Sequence, residues 1–134
     1  MSLWVDLDMD SKVAEVLEVE ARVPGHHLGR PFFTPYQIAI MLEERFPEEC
    51  RKIGEPVGGK GVGQQHSLAQ YVARQLSCRI RDENIRNIEG GFLSRMNLQA
   101  LELEQNGETV RASAIQSYDL SLFRLRSQEN VDSA

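Results

Sequence analysis

Cysteine is scarce in this chain: Cys50 and Cys78 are the only two among 134 residues. That excludes a disulfide framework and leaves two free thiols in a reducing compartment. Long hydrophobic runs are missing too. Crossing a bilayer takes about 18–20 consecutive apolar residues, so no membrane partner is expected. The opening lacks the basic-then-apolar layout of a secretory leader. It reads Trp4-Val5-Asp6-Leu7-Asp8-Met9-Asp10, and the expected location is the cytoplasm. The three histidines, His26, His27 and His66, stand at none of the spacings that hold a metal ion. Asp6, Asp8 and Asp10 open like a calcium loop, but Ser11 and Leu17 stand where that loop needs glycine and glutamate. No metal or cofactor is therefore assigned. No Ser-His-Asp or Cys-His set assembles, so no catalytic residue is assigned either. Aromatic residues make up 7%. Tyr36, Tyr71, Phe92 and Phe123 are not interleaved with Lys or Arg as in a single-strand binding platform, and are expected in or beside the core.

What is present fits one folded domain. Apolar residues make up 41% and charged residues 26%, ordinary values for a globular chain. The net charge is −5, unevenly spread. Residues 1–50 carry four basic and ten acidic side chains, residues 51–95 eight and four, and residues 96–134 three and six. A polyanion is repelled by such a chain at long range. It can still meet the basic middle segment at short range, because salt screens charges beyond about 10 Å at 0.1 M.

The pattern divides the chain into an acidic segment over 1–15, a globular domain over 16–126 and a polar tail over 127–134. Residues 1–12 read as a loosely packed start. Leu17, Val19, Ala21 and Val23 alternate with charged residues, which fits a half-buried strand over 16–23; Val13, Val16, Leu17 and Ala21 also fit a helix face. Thr34-Pro35 with Gln37 is a capping-box signature for a helix over 34–46, with Phe33 and Ile38 at the spacing of a hydrophobic staple. Pro47 opens a short second helix through about Ile53. Ser67 caps a helix over 67–82, in which Leu68, Val72, Leu76 and Ile80 mark the core face. Asn106-Gly107 is a type I′ hairpin signal. The two-residue turn pairs Gln105 with Glu108, Leu103 with Val110, Glu102 with Arg111 and Leu101 with Ala112. Tyr118 to Leu125 reads as a further strand. The expected class is α+β: a small helical core with a C-terminal antiparallel hairpin or sheet.

Two features point to function. The first is the glycine-rich loop over 54–66. Its Gly54-x-x-x-x-Gly59-Lys60 superficially matches a P-loop, but Gly61 replaces the magnesium-binding Ser or Thr and a helix precedes it. As an anion-binding loop it would offer Lys60, Gln64, Gln65 and His66 at the start of the next helix. The second is the outward helix stripe of Ser67, Gln70, Arg74, Ser77 and Arg81, which contains two arginines and no acid. Arginine binds phosphate or guanine in bidentate fashion, and glutamine binds adenine.

Helix, short helix, longer helix and hairpin in that order resemble a winged helix-turn-helix domain over about residues 33–115. The resemblance implies that 67–81 is the recognition helix and the Asn106-Gly107 hairpin the wing. It implies double-stranded DNA as partner, held by phosphate contacts from Lys60, Arg74 and Arg81 and read by Gln70 and Gln65. A protein-interaction or scaffold domain, dimeric through 16–23, is the alternative from another class. An enzyme taking a phosphorylated small molecule at the glycine loop is a third.

Overall fold

A computed structural model describes residues 2–58, 67–112 and 119–127. Among these residues five helices precede four strands: α1 (Leu3–Asp6), α2 (Met9–Val16), α3 (Pro35–Arg45), α4 (Pro47–Ile53), α5 (Leu68–Arg81), β1 (Ile88–Leu93), β2 (Glu102–Gln105), β3 (Glu108–Arg111) and β4 (Leu120–Leu125). The class is α+β.

The helix starts follow the sequence signals. The Thr34 hydroxyl accepts from the Gln37 N–H at 3.1 Å, and the Gln37 side chain accepts from the Thr34 N–H at 2.8 Å, a complete capping box. Ser67 accepts from the Gln70 N–H at 3.1 Å and starts α5. Leu68, Val72 and Leu76 on α5 are buried, with Ile80 packed at the margin. α5 lies against α3, and α3 against α2. Ile38 and Leu42 are fully buried in the same core.

The hairpin takes the expected register: Gln105 faces Glu108, Leu103 faces Val110 and Glu102 faces Arg111. The Ala112 N–H bonds the Leu101 carbonyl at 2.9 Å, continuing that register by one step. Asn106 and Gly107 both have positive φ, 52° and 82°, as a type I′ turn demands.

Two expectations fail at the start of the chain. The acidic opening is not loosely packed. Trp4, Met9, Val13, Val16 and Leu17 are all fully buried. Met9, Val13 and Val16 recur at helical spacing, so α2 presents one apolar face inward while its acids stay outside. The Trp4 ring meets Tyr71 of α5 edge-on at 5.6 Å between centroids. The strand over 16–23 is also absent. The helical alternative holds as far as Leu17, which caps α2, and Val23 is exposed. Among the described residues no strand pairs with 16–23, and an alternating segment without a partner strand has nothing to satisfy its backbone.

β1 was not expected. It pairs antiparallel with β4, Gly90 opposite Phe123 and Phe92 opposite Ser121. On the other side of β4, Phe33 and Phe123 form an isolated bridge. Tyr118 and the tail residues 128–134 lie outside the described residues. No helix among the described residues is long and apolar enough to cross a membrane.

Candidate nucleic-acid interface

α5 buries one face in the core and leaves Gln70, Arg74, Ser77 and Arg81 exposed. Their spacing of three and four residues puts them on one stripe. Three of them, Gln70, Arg74 and Ser77, line a groove of about 540 Å³. The helix also contributes Ala73 and Ile80 to it. The opposite wall and floor come from the β1–β4 ribbon through Gly90, Gly91, Phe92, Ser121 and Phe123. Among the described residues no acidic side chain lines the groove. Phe92 is 76% exposed beside it.

The cations of α5 differ sharply in availability. Arg74 has no ion-pair partner among the described residues. Arg81 is held by its neighbour, with Nε 2.9 Å from Asp82 Oδ1 and Nη2 3.3 Å from Oδ2. That hydrogen bond pushes the guanidinium above its ordinary pKa and holds the Asp82 carboxyl below the usual carboxylate range. Arg79, the third arginine of α5, lies off the stripe. It is largely covered, donates to Gln75 at 3.4 Å and lies 3.9 Å from Asp10 of α2.

Ser67, at the head of the stripe, is buried and its hydroxyl is engaged as the helix cap. Lys60, Gln64, Gln65 and His66 lie outside the described residues.

The ribbon beside α5 is the part of the site that the sequence concealed. Its ends are tied where the Arg95 N–H donates to the Asp119 carboxylate at 2.8 Å. The hairpin expected to flank α5 lies elsewhere. Val110 is buried in the core, and Gln105 donates to Glu43 of α3 at 3.1 Å.

Neither thiol joins the site. Cys50 is buried, and its pKa is pushed up to about 11 by burial and by the nearby charges of Glu43 and Glu49. Burial also raises the Tyr71 hydroxyl, opposed by the Arg79 charge. Among the described residues no group of three His, Cys, Asp or Glu side chains is placed to hold a metal ion.

No family model, no curated protein and no solved structure matches the chain.

Proposed function

We propose that the chain is a winged-helix-like nucleic-acid-binding module, with α5 as its contact helix and the β1–β4 ribbon as the flanking wing. The observation that carries this reading is the groove between those elements. Among the described residues its lining holds one unpaired cation, Arg74, and no acid, in a chain with 20 acidic and 15 basic side chains. A concave surface spared of carboxylates on an acidic protein is where a polyanion meets least repulsion.

In this arrangement Arg74 grips a phosphate or a guanine edge and Gln70 bonds a base or phosphate beside it. Ser77 donates to the backbone. Arg81 adds charge only when a phosphate competes with Asp82 for its guanidinium. The glycine-rich loop leads into the first turn of α5, and Lys60, Gln64, Gln65 and His66 are its proposed contributions. The wing role moves from the Asn106-Gly107 hairpin to β1–β4 because the latter packs beside α5.

The test is fluorescence-anisotropy titration of the full chain against duplex DNA over a range of salt. Arg74→Ala is expected to weaken binding about tenfold and to flatten the salt dependence by about one released counterion. Absence of saturable binding at low salt overturns the reading, as does unchanged affinity in Arg74→Ala.

A further inference from the structure

The β1–β4 ribbon has an edge whose orientation the hydrogen bonds fix. Phe33 and Phe123 each donate a backbone N–H to the other's carbonyl, at 2.8 and 2.9 Å. The backbone groups of Phe123 therefore point away from β1. In an antiparallel pair the bonding side alternates along the strand. Gly90 stands opposite Phe123, so its own N–H and C=O turn to the outer edge of β1, and those of Phe92 do the same. The Arg126 N–H bonded to the Asn87 carbonyl at 2.8 Å sets the same parity from the other end. Among the described residues no strand pairs with that outer edge.

Edge strands normally carry a charge, a proline or a bulge that discourages further pairing. From Gly90 to Leu93 this edge is Gly-Gly-Phe-Leu. Gly90, Gly91 and Phe92 are all exposed, and Glu89, the nearest charge, is bonded to Arg124 and Arg126 at 2.6 and 3.2 Å.

We propose that this edge pairs with the same edge of a second copy, antiparallel about a twofold axis at Gly91. In that register Gly90 exchanges backbone bonds with the partner's Phe92, and Phe92 with the partner's Gly90. Cross-strand partners share a sheet face. Each phenyl ring thus lies beside a glycine of the other copy at the rim of the groove, next to the Phe123 ring that sits 3.3 Å from where a Gly90 Cβ would be. An aromatic ring set across a strand glycine is a known way of stabilising such a position. Gly91, at the axis, forms the close, non-hydrogen-bonded pair of about 4.5 Å between Cα atoms. A Cβ built there meets nothing within 4 Å, so the axis has room. A twofold perpendicular to the joined sheet sets both α5 helices on one side, with the exposed Gln70 and Arg74 of the two copies facing the same way. The pairing itself uses no charge and stands without the nucleic-acid reading.

The experiment is sedimentation of the full chain from low micromolar to near-millimolar concentration, with amide exchange measured at both ends of the range. A monomer–dimer equilibrium is expected, with Gly90 and Phe92 amides gaining protection as concentration rises. Phe92→Lys, at an exposed position whose backbone N–H and C=O point away from β4, is expected to weaken dimerisation by about tenfold or more with an unchanged circular dichroism spectrum. Gly91→Cys is expected to form a disulfide-linked dimer on mild oxidation much faster than Ser94→Cys. A single monomeric species throughout overturns the proposal. So does a dimer that persists in Phe92→Lys, or one whose Gly90 and Phe92 amides exchange at the same rates at both concentrations, and so does equal cross-linking of the two cysteine variants.

Discussion

Arg81 and Asp82 are neighbours in sequence and partners in space: the guanidinium at the end of α5 is spanned by the next carboxylate. Both side chains are more than half exposed, at 71% and 51%, so the pair adds little to stability. Its effect is on the surface field, where it cancels one of the two charges of the α5 stripe. Asp82→Asn releases that charge. Duplex affinity is expected to rise about threefold at low salt and the salt dependence to steepen by about one counterion. In the wild type Arg81→Ala changes binding less than Arg74→Ala does. Because Asp82 titrates below the usual carboxylate range, the pair persists between about pH 5 and 8. Anisotropy titrations of the three variants across that range check the order.

The two capped helices offer a stability test. Thr34 accepts a hydrogen bond from the Gln37 N–H and donates its own N–H to the Gln37 side chain, whereas Ser67 caps α5 through the single bond from the Gln70 N–H. Thr34→Ala and Ser67→Ala are each expected to lower the unfolding free energy by about 1–2 kcal/mol. Thr34→Ala should be the costlier, since it also breaks the reciprocal arrangement. Urea denaturation followed by far-UV circular dichroism measures both.

The elements that were legible in the sequence are those whose signals are local. Thr34, Pro35 and Gln37 lie within one turn, Ser67 begins an apolar four-residue repeat, and Asn106-Gly107 fixes its own hairpin register. β1 was illegible because Gly90 and Gly91 have poor strand propensity. Its partner β4 lies about 30 residues further along, and only that pairing makes it a strand. The polar stripe could be read from helical periodicity. The groove in front of it could not, because half its lining comes from the ribbon. Asp82 stands next to Arg81 in the sequence, but Asp10 beside Arg79 joins residues at opposite ends of the helical region. The start of the chain was illegible because Asp6, Asp8 and Asp10 are interleaved with Trp4, Met9 and Val13, whose burial depends on α3 and α5.

Cys50 gives a pH dependence with a definite sign. Burial, helped by the charges of Glu43 and Glu49, pushes its thiol from an ordinary 9.0 up to about 11 in the folded protein. The neutral form is favoured in the fold, so the stabilisation is complete below pH 9.0 and is lost as pH rises toward 11. The loss attributable to this group is on the order of 2–3 kcal/mol. Cys50→Ala should flatten that part of the stability profile relative to wild type, measured by urea midpoints at stepped pH. In the native protein at neutral pH, thiol reagents should label the partly exposed Cys78 well before the buried Cys50.

Trp4 decides whether the acidic start belongs to the fold. It is the only tryptophan in the chain, is fully buried, donates its indole N–H to Asp10 at 2.5 Å and packs on Tyr71. Trp4→Ala removes a large apolar side chain and leaves a cavity between α1, α2 and α5, so a loss of about 3–5 kcal/mol is expected. Trp4→Phe keeps much of the apolar volume but removes the indole donor to the half-exposed Asp10 carboxylate, which keeps Arg79 nearby. It should cost about 1–3 kcal/mol. In the wild type, indole fluorescence should lie at short wavelength and shift red in the same transition that abolishes the circular dichroism signal, because α1 is anchored to the central helix. An indole that shifts red at lower urea than the helix signal, together with a Trp4→Ala midpoint equal to wild type, would show α1 fraying independently of the core.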